Sequence, residues 1–183
     1  MIARTAVESD AESSIVAAQI GRRPRSPWRV AQRCSHGFPT VIASPSVLED
    51  GERFPTLFWL TCPHLAEAAS DAESAGALQE WSRRIEDDPA LAAHLIRTDE
   101  QLRALRLRES GGEDACGDAG VAGRTATSRS GSAGCVKCLH ARVALVLAGV
   151  DDPVGAAFLS EVAKECDDVR CAGLTPATHE GSD

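Results

Sequence analysis

The sequence predicts an α+β fold, with a small three-stranded antiparallel sheet packed against about four helices. Short runs that suit strands fall in the first third of the chain, at 28–34, 40–43 and 56–60. Beyond them, apolar residues recur at steps of three and four, which is typical of amphipathic helices. Strands first and helices afterwards favour an antiparallel sheet with helices packed on it.

The first two runs are predicted to form a hairpin, because residues 35–39 between them have the composition of a turn. Gly37 in that turn can take a positive φ, and Cys34 ends the first strand. The third run, 56–60, is short and apolar, and it is expected as a buried central or edge strand of the same sheet.

Prolines that follow a capping residue predict the starts of three helices. These prolines are Pro63, Pro89 and Pro153. For the first of these helices, either Thr61 or Cys62 would be the N-cap, and Gly76 predicts a break further along. Residues 15–20 are expected to form a short helix that ends at Gly21.

A length of 183 residues suits one domain with tails. We expect a disordered N-terminal tail at 1–14, a single α+β domain at 15–172 and a flexible C-terminal tail at 173–183. A stretch rich in Gly, Ser, Ala, Thr and Asp, at 109–134, predicts a flexible linker that interrupts the domain.

Composition indicates where the protein works and which partners are unsuitable. The net charge of −8 argues against binding to nucleic acid or to an anionic membrane. The sequence has no apolar run near the ~20 residues of a membrane span and no signal-peptide pattern at its start, so we expect a cytoplasmic protein. An interaction with another protein is left open. In a reducing compartment, the 7 cysteines are expected as thiols, ligands or catalytic groups rather than disulfides.

The stretch 134–140 brings two thiols and an imidazole close together in the sequence, and it reads Gly-Cys-Val-Lys-Cys-Leu-His. The apolar spacing predicts a helix that begins here, with Cys135 and Cys138 on one face of its first turn. Unpaired amides and the helix dipole would favour a thiolate there, the form that binds metals or attacks electrophiles. The alternative is ordinary packing, because free cysteine is among the most buried residue types.

Several blocks of the sequence resemble the actinobacterial family called domain of unknown function 501. They are VAAQIGR at 16–22, Arg33-Cys34, FPTLFWLTCP at 54–63 and VKCLHA at 136–141. The resemblance runs from about 15 to 158, and it implies no activity because none is established for the family. By resemblance, the recurrent positions are Cys34, Cys62, Cys138 and His140. Family members can hold His at the position of Cys62, an exchange that a metal site tolerates and a nucleophile does not.

Three functions follow as expectations. In the first, the protein is a metal-binding structural or interaction protein in which Cys34, Cys62, Cys138 and His140 hold a tetrahedral ion, typically zinc. An iron–sulfur cluster is a variant of this function, with Cys171 or Cys135 as the fourth thiolate.

In the second, the protein is a thiol-dependent enzyme or redox protein. Cys62 or Cys138 would be the nucleophile and His140 the base, with no acidic third member evident in the sequence. In the third, the cysteines only pack, and the protein is an interaction module without a metal or an active site. The roles of Cys135, Cys166 and Cys171 stay open.

Overall fold

The computed structural model describes residues 10–47, 51–110, 115–117, 119–121 and 136–174. Six α-helices and three strands follow one another there, and a 3₁₀ helix closes the described chain at Arg170–Gly173. The elements are α1 Asp10–Ile20, β1 Arg29–Arg33, β2 Pro39–Ala43, β3 Phe58–Leu60, α2 Pro63–Ser74, α3 Ala77–Asp87, α4 Pro89–Glu109, α5 Leu139–Leu147 and α6 Pro153–Glu161. None of the helices in these ranges is both long and apolar enough to cross a membrane.

The three strands form one antiparallel sheet in the order β1-β2-β3, which confirms the predicted α+β class. All five residues of β2 are buried, so β2 is the central strand and β3 lies at an edge. Pro39 lacks an N–H but is tolerated because it is the first residue of its strand. The predicted hairpin is confirmed, with Gly37 at φ 84° and the Cys34 amide donating to the Phe38 carbonyl at 3.0 Å.

The helix starts predicted from proline are confirmed. Cys62 is the N-cap of α2, and Gly76, at φ 96°, separates α2 from α3. Asp88 caps α4 by accepting hydrogen bonds from the amides of Ala90 and Leu91, at 2.9 and 3.1 Å. The described residues form six α-helices rather than about four, partly because the break at Gly76 divides one of them.

Two helix boundaries differ from the sequence prediction. Helix α1 begins at Asp10, so residues 10–14 are helical where a tail was expected; Asp10 and Glu12 in its first turn complement the helix dipole. Helix α5 begins only at Leu139, since Cys138 has an extended backbone (φ −159°, ψ 123°) and is the N-cap. The predicted first turn shared by Cys135 and Cys138 is therefore wrong for Cys138, and Cys135 lies outside the described residues.

Helix α5 lies at the centre of the molecule, packed against β3, α2 and α6. One face joins a cluster with Leu65, Leu95 and Phe158, and another joins a cluster with sheet residues and Leu102. Val121, within the segment predicted as a linker, belongs to the second cluster. It is 4% exposed, and its amide donates to Asp99 Oδ1 at 3.0 Å.

A buried ion pair fixes α5 against α6. Arg142 donates to Asp152 Oδ2 at 2.6 Å, and both side chains are at most 4% exposed. The other oxygen of Asp152 caps α6 by accepting from the Gly155 amide at 2.8 Å. The two helices approach so closely that a Cβ at Gly155 would lie 2.3 Å from the Arg142 carbonyl oxygen.

Candidate metal centre

Three side chains with metal-binding donors converge where α2 meets the start of α5. They are Glu73, Cys138 and His140, and one donor atom from each lies within 4.8 Å of the other two. In the described ranges, no other group of three or more His, Cys, Asp or Glu residues meets this distance. The cluster joins two helices that are distant in sequence.

The capping of α5 explains why the carboxylate is held in place. Glu73 lies in the last turn of α2, and its Oε1 accepts a hydrogen bond from the Leu139 amide at 2.6 Å. The Cys138 side chain makes no cap hydrogen bond, so Glu73 provides the acceptor that an N-cap side chain usually supplies. Because Cys138 is extended and His140 is the second helical residue, both side chains lie beside this carboxylate.

The two nitrogens of His140 have different surroundings. Nδ1 lies 3.2 Å from Glu73 Oε1 and 3.8 Å from Cys138 Sγ. Nε2 lies 3.1 Å from the Ala66 carbonyl oxygen and 3.3 Å from Ser70 Oγ. A carbonyl oxygen can only accept, so Nε2 carries a proton and donates it to Ala66. In neutral His140, the lone pair would therefore lie on Nδ1, facing the thiol and the carboxylate.

The surroundings of the imidazole favour its protonated form when no metal is bound. The hydrogen bond with Cys138 is the main cause that raises the pKa of His140 to about 9, and Glu73 raises it further, against the opposing effect of burial. The His140 and Glu73 side chains are 31% and 24% exposed, so solvent reaches the cluster. A metal ion would take the place of the Nδ1 proton.

Both donor separations measured from His140 Nδ1 are close to those around a tetrahedral zinc ion. Zn–N and Zn–O bonds of about 2.0–2.1 Å and a Zn–S bond of about 2.3 Å imply donor separations of roughly 3.3–3.6 Å around the ion. The observed separations from Nδ1 are 3.2 Å to oxygen and 3.8 Å to sulfur. An imidazole that ligates through one nitrogen and donates from the other to a carbonyl is the usual orientation of a metal ligand.

The structure divides the four ligands predicted from the sequence between two places. Cys138 and His140 lie in the cluster just described, whereas Cys34 and Cys62 line a small cavity by the N-terminus of α2. Glu73 follows Cys62 by eleven residues along α2, which corresponds to about 16 Å at 1.5 Å per residue. The four residues therefore do not surround one point in this structure.

Glu73 is the functional candidate that sequence reasoning missed. It lies 65 residues before Cys138, on a helix with two other carboxylates, and no spacing in the sequence links it to the later motif. Two other histidines, His36 and His64, also follow a cysteine by two residues. His36 lines the cavity with Cys34, and His64 Nε2 lies 2.8 Å from the Ala163 carbonyl oxygen.

Comparisons with known proteins agree with the resemblance noted in the sequence. A protein-family model described as "Protein of unknown function (DUF501)" matches residues 30–160. No curated protein and no solved structure matches the chain.

Proposed function

The chain belongs to DUF501, a family of proteins of unknown function, and we propose from the site itself that this member is a zinc-binding protein. Glu73, Cys138 and His140 are the proposed ligands. The ion would hold α2 and α5 together, which is a structural role, and because solvent reaches the cluster, water or a partner's donor group can supply the fourth ligand.

The observation that carries the proposal is the convergence of a sulfur and an oxygen on the same ring nitrogen, His140 Nδ1. Tetrahedral coordination requires donor atoms that surround one point. The donors of Glu73 and Cys138 both lie beside His140 Nδ1, while the other ring nitrogen, Nε2, is directed to the Ala66 carbonyl oxygen.

A thiol-dependent enzyme is the second candidate, because Glu73 supplies the acidic group that the sequence did not reveal. In a nucleophile–histidine–acid arrangement, however, the thiol contacts one ring nitrogen and the acid orients the other. Here Cys138 and Glu73 both lie at Nδ1, and the neighbours of Nε2 are Ala66 and Ser70. This geometry favours shared coordination over proton relay.

We propose the cytoplasm as the compartment. None of the six cysteines in the described ranges forms a disulfide, including those that share a cavity, and thiols persist in a reducing environment. Free thiolates are also the form of cysteine that zinc requires.

The test is zinc affinity of the tag-free full chain, measured by competition with a chromogenic chelator after the metal has been stripped. His140→Ala and Cys138→Ser should each abolish one binding event, and Glu73→Gln should weaken it at least tenfold. Glu80→Gln is the matched control, since Glu80 pairs with Arg83 on α3, away from the cluster.

Unchanged binding in both His140→Ala and Cys138→Ser, with the variants folded by circular dichroism, would contradict the proposal. Rapid, single-site alkylation of Cys138 at neutral pH in zinc-free protein, together with that result, would instead support the thiol enzyme.

A further inference from the structure

Four cysteines from three separate segments line one small cavity. They are Cys34, Cys62, Cys166 and Cys171, four of the six cysteines that the structure describes. The cavity has a volume of about 10 Å³, which is room for one atom or ion of the size of a water molecule. This cavity is separate from the Glu73–Cys138–His140 cluster, and an inference from it does not depend on that cluster.

Three of the four cysteines lie within a regular element or at its end or start. Cys34 ends β1 at the hairpin turn, and Cys62 is the N-cap of α2. Cys171 lies in the 3₁₀ helix, where Gln19 Nε2 donates a hydrogen bond to its sulfur at 3.2 Å. Cys166 and Cys171 are separated by four residues, a spacing common among paired zinc ligands.

The polar groups around the cavity suit a cluster of thiolates bound to a cation. The amides of His64 and Leu65 at the start of α2 favour the thiolate of Cys62, although the sulfur makes no full cap hydrogen bond with them. Lys164 and Glu165 also line the cavity, so the charge of the lysine can offset one thiolate while the glutamate adds a negative charge of its own. Without a cation, burial and the neighbouring thiols raise the pKa values of Cys62 and Cys171.

The C-terminal segment is held to the domain by contacts that are weak by themselves. Between 162 and 174, Cys171 is the one buried residue. The other ties are exposed: Glu165 accepts from Ser35 Oγ, and Arg170 pairs with Glu67. Exposed ion pairs contribute little to stability. Val169, between the two cysteines, has φ 44°, a conformation that β-branched residues rarely adopt without an external constraint.

We infer that Cys34, Cys62, Cys166 and Cys171 form a second, all-thiolate site that binds one zinc ion. The ion clamps the C-terminal segment onto the β1–β2 turn and the start of α2. The cavity has room for a single ion. No three of these sulfurs lie mutually within 4.8 Å in the structure, so the proposed ion requires them to move inwards to the roughly 3.8 Å that zinc–sulfur bonds impose.

The experiment counts zinc per chain in tag-free protein and maps which thiols the metal protects. Wild type should hold one zinc ion more than Cys166→Ser with Cys171→Ser, and the counts should be two and one if the Glu73–Cys138–His140 cluster also binds zinc. The remaining ion should be lost on adding His140→Ala, which distinguishes the two sites. Cys116→Ser is the matched control, because the Cys116 sulfur lies outside the cavity, 3.8 Å from the Ser46 carbonyl oxygen.

A second readout does not depend on variants that fold. Wild-type protein is alkylated with and without one added equivalent of zinc per site, and the modified peptides are identified by mass spectrometry. Zinc should slow alkylation of Cys34, Cys62, Cys166 and Cys171 together by at least tenfold and leave Cys116 unchanged. Equal alkylation of the four with and without zinc, or wild-type zinc content in the double variant, would overturn the inference; iron with acid-labile sulfide would overturn the choice of a single zinc ion.

Discussion

Replacement of Asp152 tests how the helix that carries the metal centre is held in place. The carboxylate is 0% exposed in its side chain, binds Arg142 at 2.6 Å and caps α6 through Gly155. Removing one partner of a buried pair costs about 3–5 kcal/mol, because the other charge stays buried without compensation. Loss of a cap costs about 1 kcal/mol more.

These magnitudes separate two variants. Asp152→Asn keeps a capping oxygen and loses the charge, so the free energy of unfolding should fall by about 3–5 kcal/mol. Asp152→Ala loses both the capping oxygen and the charge, so the free energy of unfolding should fall by about 4–6 kcal/mol. Asp88→Ala, the matched control, removes an exposed cap with no buried partner and should cost about 1 kcal/mol.

The assay is urea unfolding followed by tryptophan fluorescence, with chelator present so that bound metal does not affect the transition. With a slope of about 2 kcal/mol per molar urea, Asp152→Asn should lower the midpoint by about 2 M. A midpoint within 0.5 M of wild type corresponds to a loss of about 1 kcal/mol or less in the free energy of unfolding. That result would refute the claim that the Arg142–Asp152 pair fixes α5 on α6.

Two further predictions use unfolding in the same way. Gly155→Ala should lower the free energy of unfolding by about 1–3 kcal/mol or more, because its Cβ would lie 2.3 Å from the Arg142 carbonyl oxygen. Gly173→Ala is the control: no atom lies within 4 Å of the added Cβ, so the free energy of unfolding should change little. A silent Gly155→Ala would show that α5 and α6 can separate freely. Leu102→Ala should cost about 2–5 kcal/mol, since Leu102 is 2% exposed, and Leu107→Ala on the same helix, 44% exposed, should cost less than about 0.5 kcal/mol. Equal losses in the two leucine variants would contradict the assignment of Leu102 to the core.

Local signals in the sequence were sufficient for much of the fold. The hairpin turn at Gly37, the helix start at Pro63 and the caps at Asp88 and Asp152 depend on residues that are adjacent in the chain, and the structure confirms each of them. The late start of α5 could not be predicted in this way. Its first amide is satisfied by Glu73 on another helix, so the boundary depends on tertiary structure.

In the candidate site, too, one part could be predicted from neighbouring residues and another part depends on tertiary packing. The Cys138–His140 pair could be identified because both residues lie in one short motif. Glu73 could not, because only the packing of α2 against α5 brings it to His140. The family resemblance grouped Cys34 and Cys62 with that pair, but α2 separates Cys62 from Glu73 by about 16 Å along the helix, and Cys34 and Cys62 lie beside Cys166 and Cys171.

The zinc centre at Glu73, Cys138 and His140 is tested most directly by a crystal structure of tag-free protein grown with zinc, with anomalous diffraction recorded above and below the zinc absorption edge. The proposal predicts an anomalous peak about 2.3 Å from Cys138 Sγ and about 2.0–2.1 Å from His140 Nδ1 and a Glu73 oxygen. Absence of a peak there, with Nδ1 still hydrogen-bonded to Glu73, would contradict it.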